Sequence, residues 1–425
     1  MRRSRGASRL DVKETAEAVA RRSYGKLVAM LAARTRDVAG AEDALAEAFA
    51  AALAEWPARG VPRTPEAWLL TVARRKLIDS ARRRRTTEDN VEVVQLLSEV
   101  EEAEIPDERL RLMFACAHPA IDEAVRAPLI LQGVLGFDAA AIASAFLVAP
   151  ATMGQRLVRA KNRIRQAGIP FSVPGRDELG PRLDAVLDAI YAIFAEGWSD
   201  PSGTQAQSRG LAEEAIWLGR LVASMLPQEP EALGLLALML HAEARRGARR
   251  DAQGEFVPLG EQDPSRWDSA LIQEAETLLM AASRMKSPGR FQLEAAVQSA
   301  HAIRRLSGRT DWGAIVALYD ALLTLTGSVV VAINRAVALA EVDGAAAGMA
   351  ALDTLEKDQR LAQYQPFWAA RAELLSRLGN RAAATEAYTR AIGLEADPAV
   401  RRYLQRRASA ATRPIRGQDH NQFRS

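Results

Sequence analysis

The 425-residue chain is 48% hydrophobic but only 5% aromatic, has a net charge of +3 and contains one cysteine. That length implies several folded units. A single thiol excludes an intramolecular disulfide framework and, with no apolar core after the basic start MRRSRGASRL, leads us to expect a cytoplasmic rather than a secreted protein.

No apolar run approaches the roughly 18 residues of a membrane span. Ala and Leu dominate the apolar set, and both lose little entropy in a helix, so all-α is the expected fold class. Charge is unevenly spread: residues 1–176 carry +6 and 177–425 carry −3. Within the first part, residues 88–108 hold nine carboxylates and no Lys or Arg, leaving +15 on the remainder. Two basic lobes joined by an acidic strap point to a polyanionic partner.

In chain order, AEDALAEAFAAALAEW predicts a helix with Leu45, Phe49, Leu53 and Trp56 at helical spacing, stopping at Trp56-Pro57. PARGVPRTP is a loop by its Pro and Gly content. Thr64 caps the next helix, Pro65 takes its first position, and Leu69, Val72, Ala73 and Leu77 form its buried side. Arg74, Arg75 and Lys76, then Arg82, Arg83, Arg84 and Arg85, make this helix cationic, a pattern that fits phosphate neutralisation as well as a solvated helix end.

The linker 88–108 contains one apolar patch, Val91 to Leu97. DEAVRAPLILQGVLG predicts a core helix ending at Gly136. DAAAIASAFL and PATMGQRLVRAKNRIRQA then form a helix–turn–helix pattern with Met153, Leu157, Ala160 and Ile164 as the buried stripe. Gly168, Pro170, Pro174, Gly175 and Pro181 mark a boundary. Beyond it helix follows helix, interrupted by the polar insertion GARRDAQGEFVPLGEQDPSRW, whose EFVPL is expected to be extended. Ala336 and Ala372, then Gly344 and Gly379, recur about 35 residues apart, close to the tetratricopeptide (TPR) period. Residues 411–425 are expected to be a disordered tail.

Chemistry-bearing constellations are few. Cys116-x-His118 is too sparse for a metal site and reads as a buried thiol beside a capping or core His. No Gly-rich phosphate loop is present. Trp198, Trp217, Trp267, Trp312 and Trp368 read as core anchors. We expect no enzyme activity, cofactor, metal, membrane partner or small-molecule substrate.

AEDALAEAFAAALAEWP followed by PEAWLLTVARRKLIDSARRRR resembles region 2 of extracytoplasmic-function (ECF) sigma factors. DAAAIASAFLVAPATMGQRLVRAKNRIR resembles their region 4. RLMFACAHPAI, IPFSVP, AIYAIFAEGWS, LLALMLHAEARR and SRWDSALIQEAETLL resemble the subgroup with a long TPR-like C-terminal extension. The resemblance implies region 2 at 15–87, the acidic linker at 88–108, region 4 at 109–170, a helical connector at 180–290 and repeats at 291–410. It implies binding to the β and β′ subunits of bacterial core RNA polymerase, with Glu42, Asp43 and Glu47 as contacts. Arg63, Thr64, Arg74, Arg75, Lys76, Arg82, Arg83 and Arg84 would hold the −10 region of promoter DNA. Thr152, Gln155, Arg156, Arg159, Lys161 and Arg163 would engage the −35 region. Leu147 and Gly154 depart from the family pattern, replacing a turn Gly and a long polar residue. The extension would regulate in cis. A TPR-type adaptor or a helix–turn–helix regulator stays open as the alternative.

Overall fold

The computed structural model describes residues 9–83, 108–145, 148–199 and 206–412, and these are all-helical apart from turns and one isolated β-bridge. The chain divides into two compact units, 1–193 and 194–425.

The first unit is built from α1 (Arg9–Thr35), α2 (Val38–Arg59), α3 (Pro65–Arg83), α4 (Arg109–Cys116), α5 (Glu123–Leu135), α6 (Ala139–Ala145) and α7 (Pro150–Gln166). α1 packs on α2, α3, α4 and α5, while α7 packs on α2, α5 and α6. Small residues let these helices approach. The buried face of α2 is Ala41, Leu45, Ala48, Ala52 and Trp56, so Phe49 is only half-buried and Leu53 stays 49% exposed. α2 also runs past Pro57 to Arg59 before Gly60 (φ 83°) ends it. Pro57 leaves the Leu53 carbonyl without its usual amide donor and crowds it with the ring, a cost confined to the last turn of α2.

Leu69, Ala73 and Leu77 are buried on α3 as their spacing predicts, with Leu70 added and Val72 half-buried. α5 is capped by Asp122, whose carboxylate accepts from the Ala124 amide at 3.0 Å, and it ends at left-handed Gly136 (φ 71°). Met153, Leu157, Ala160 and Ile164 form the buried stripe of α7. Between α6 and α7 the Val148 amide donates to the Ala143 carbonyl at 2.9 Å; Leu147 lies outside the described residues. So do 84–107, with Arg84, the Val91–Leu97 patch and most of the acidic linker, and the tail from 413 onward. Cys116 is fully buried, and burial pushes its thiol well above the usual range. His118 accepts from the Ala120 amide at 3.1 Å as a turn cap.

α8 (Arg176–Ser199) starts after Gly175 and runs through Pro181, one of the residues expected to mark a boundary; the division at 193 falls inside it. The second unit continues with α9 (Ala206–Met225), α10 (Pro230–Ala244), α11 (Ser269–Arg284), α12 (Arg290–Ala302), α13 (Arg304–Ser307), α14 (Trp312–Thr326), α15 (Val329–Val342), α16 (Ala345–Asp353), α17 (Gln365–Arg377), α18 (Arg381–Leu394) and α19 (Pro398–Thr412). Most helices pack on their neighbours in sequence. Ala336 and Ala372 are both fully buried, and Gly344 (φ 90°) and Gly379 (φ 76°) supply the two turns.

The insertion at 245–268 has little ladder of its own, so arginines satisfy its carbonyls. Arg304 donates to Leu259, Gly260 and Gln262 at 2.9–3.0 Å. Arg266 donates to Arg250 at 3.2 Å. The expected extended piece shrinks to a bridge between Arg250 and Phe256. Among the five tryptophans, Trp267 is buried, Trp217 is 38% exposed, and Trp198 and Trp368 lie under Arg249 and Arg390 at 4.3 and 4.2 Å. His241 is 2% exposed. Burial, with Arg245 nearby, lowers its pKa to about 4, so it is neutral despite Glu276 at 3.4 Å.

A Cβ on Gly25 would lie 1.6 Å from the Val134 carbonyl oxygen, whereas one on Gly154 meets nothing nearer than 4.0 Å. Gly25→Ala should therefore destabilise the α1–α5 contact by about 2 kcal/mol or more, while Gly154→Ala should stabilise α7 by up to about 1 kcal/mol; hydrogen exchange of α5 and α7 reads both. His241 has an ordinary pKa of 6.5 and a folded value of about 4. The unfolded chain thus binds the proton first, and stability is lost as pH falls through that interval. His301 in the same unit is lowered to about 4 in the same way, so urea unfolding is compared with His241→Gln. That variant should lose about 2 kcal/mol less than the wild type between pH 7 and 5; equal profiles would mean that His241 is hydrated.

Candidate nucleic-acid interface

Two tryptophans hold the corner where α2 turns into α3. Trp56 and Trp68 meet edge to face at 5.5 Å, so Trp68 is a packing residue. The Gly60 amide closes α2 on the Trp56 carbonyl at 2.8 Å, and the Trp68 amide opens α3 on the Thr64 carbonyl at 3.2 Å. Residues 61–64 are thereby held between two fixed helix ends.

The cationic candidates surround this corner unequally. Arg63, Thr64 and Arg75 are exposed, and Arg74 is half-buried. Lys76 is exposed, but its Nζ lies 2.9 Å from Glu47 Oε2 on α2, so one expected DNA contact and one expected polymerase contact already face each other. The backbone of Arg82 and Arg83 belongs to the last turn of α3; their side chains lie outside the described residues. Asp43 is exposed.

On α7, Thr152, Gln155, Arg159 and Arg163 are exposed and Arg156 is half-buried. Arg159 Nε donates to the Gln155 carbonyl at 3.3 Å. Lys161 does not join this outward set. It follows Leu157 by four residues, which places it on the buried face, and it is 8% exposed. Its ammonium pairs with Glu42 Oε2. Glu42 Oε1 is buried without a hydrogen-bond partner, and burial raises the Glu42 pKa against the opposing pull of Lys161. One turn further on, Arg165 lies 3.6 Å from Asp37.

Asp37 and Arg165 were not among the predicted site residues. Asp37 had a local signal, since an Asp before an apolar-periodic run reads as a helix cap, and its carboxylate accepts from the Gly40 amide at 3.0 Å. Its pairing with a residue on α7 had none. Tyr24 was also missed; burial, then Glu42 and Asp43, push its phenol up. Among the described residues no cluster of His, Cys, Asp and Glu could hold a metal ion, and no helix is long and apolar enough to cross a membrane.

Sigma-70 region 2 matches residues 19–87. A family of unknown function (DUF6596) matches residues 182–283. An uncharacterized protein of Rhizobium meliloti (strain 1021) is 39% identical over 376 residues, covering 86% of this chain and 88% of its own. No solved structure matches the chain.

The exposed pair Lys76–Glu47 should contribute under about 1 kcal/mol to stability, because solvent screens it and two long side chains must be ordered. A double-mutant cycle with Lys76→Ala and Glu47→Ala checks this. A coupling well above that bound would mean the pair is structural rather than available to partners.

Proposed function

Because the chain belongs to one family with that Rhizobium protein and carries a sigma-70 region 2 domain, we propose that it is an ECF-type sigma factor. In this reading it binds bacterial core RNA polymerase and directs promoter recognition and DNA melting. One observation carries it: the region 2 match falls on α1–α3, the elements that bring an acidic helix and a cationic corner together. Glu42, Asp43 and Glu47 supply carboxylates for the polymerase. Arg63, Thr64, Arg74, Arg75 and Lys76, with Arg82, Arg83 and Arg84, supply −10 contacts, where phosphate neutralisation makes affinity salt-sensitive. α6 and α7 form the −35 reader, with Gln155, Arg156 and Arg159 suited to base edges and Thr152 and Arg163 to the backbone, while Lys161 stays on the buried face with Glu42.

The sigma-70 family is non-enzymatic; such a factor acts by placing polymerase and DNA. The second unit serves as a regulator in cis. Its support is the fusion of a sequential helix array with two similar turns to the region 2 domain; arrays of this kind offer extended binding surfaces.

Run-off transcription with purified bacterial core polymerase and genomic promoter templates tests the reading. The chain should confer discrete start sites that core enzyme alone lacks, and Arg75→Ala should weaken promoter binding and lower its salt dependence by about one phosphate contact. A chain that neither associates with core enzyme nor selects start sites sinks the proposal.

A further inference from the structure

The second unit holds a cleft of 620 Å³ between α11 and α12, large enough for a small molecule. Both helices pack on α10, and the contacts fix their directions. The Asp268 amide donates to the Ala244 carbonyl at 2.9 Å, so α11 starts where α10 ends. The Phe291 and Gln292 amides donate to Glu231 at 2.9 and 3.0 Å, so α12 starts where α10 starts. Glu276 therefore lies towards one end of the cleft, and Gln292 and Lys286 towards the other. Leu279, Met280, Leu293 and Ala296 line the stretch between.

Neither end is satisfied from within the described residues. Glu276 is half-buried, and among those residues its carboxylate has no cationic partner. The His241 ring lies 3.4 Å away, and burial keeps it neutral. Arg245, at the end of α10, is taken up by the Gln298 side chain and the His241 carbonyl. At the other end Gln292 is 6% exposed. α12 crosses α10 so closely here that a Cβ on Gly234 would lie 2.6 Å from the Gln292 main-chain nitrogen. Among the described residues Gln292 Oε1 is buried without a hydrogen-bond partner. A buried acceptor left so is a cost that a Met of similar size would avoid. Lys286, exposed at the same end, offers a donor.

The geometry points to a binding site for an elongated organic amine that carries an amide at its far end. Its ammonium sits on Glu276, and its apolar body lies along Leu279, Met280, Leu293 and Ala296. Its amide N–H donates to Gln292 Oε1, while Lys286 donates to its carbonyl. The charge-assisted contact at the first end is the stronger one; the reciprocal amide contact at the second sets length and direction. Bound this way, the ligand also covers Met280, which is 55% exposed in the free chain. The site lies wholly within the second unit and goes beyond the sigma reading. It is tested by binding rather than by transcription, so either can fail without the other.

Titration calorimetry of the full chain with ε-aminocaproamide, hexylamine and hexanamide tests the site. ε-Aminocaproamide should bind saturably and about ten-fold more tightly than either single-ended probe. Glu276→Gln should weaken ε-aminocaproamide and hexylamine about ten-fold and leave hexanamide unchanged. Gln292→Met should weaken ε-aminocaproamide and hexanamide but leave hexylamine unchanged, and it should raise the melting temperature by removing the orphaned acceptor. A merely structural glutamine would give a lower melting temperature and no such split between probes. Glu276 is half-buried and tolerates the isosteric amide, so that variant decides the proposal even where Gln292→Met melts early. No saturable binding of ε-aminocaproamide, or wild-type affinity in Glu276→Gln, would overturn it.

Discussion

Helices in this protein meet at backbone distance, and most of its architecture follows from that constraint. With few aromatics to fill space, apolar burial is obtained by bringing helix axes close at Ala and Gly. The Gly25–Val134 seat, the Ala48 and Ala52 face of α2, and Gly348 against Ala336 and Ala340 are separate instances. A close crossing leaves no room for a longer side chain, so register is fixed sterically. The polar residues at its margin are placed with the same exactness, which is why Glu42 and Lys161 meet at all.

That fixed register explains how acidic and basic side chains of one chain can serve both as internal partners and as candidate external contacts. Lys76 with Glu47 is a solvent-screened pair that costs little to break. Lys161 with Glu42 is desolvated and half satisfied. The two carboxylates lie on the same helix, α2, and the pairs differ in solvation more than in chemistry. A partner approaching α2 meets the cheap contacts first.

Much of this was legible in the sequence because it depends on local periodicity. The α5 helix, with Asp122 before it and Gly136 after it, and the stripe Met153–Leu157–Ala160–Ile164 are set by residues within a few turns. Leu53 is the instructive failure: its spacing from Leu45 and Phe49 predicts burial, yet small residues carry the α2 interface and Leu53 faces outward. A periodicity argument weighted towards large apolar residues overlooks an alanine face. Lys161 stands among the −35 candidates, yet its four-residue step from Leu157 puts it on the buried stripe. Pairings such as Asp37–Arg165 join residues more than a hundred positions apart, and no local signal carries them.

The insertion at 245–268 reaches residues far along the chain. Glu255 accepts from both Arg402 and Arg406 at 2.7 and 2.6 Å, and Arg250 pairs with Asp397, so a turn between α10 and α11 clasps the last described helix. Phe256 meets Tyr403 edge to face at 5.5 Å in the same place. A run of helices with a free end can lengthen there without disturbing the rest; in this run the end is tied back to an earlier turn. Helices added between them would carry Arg402 and Arg406 out of reach of Glu255, so their number is held constant by geometry.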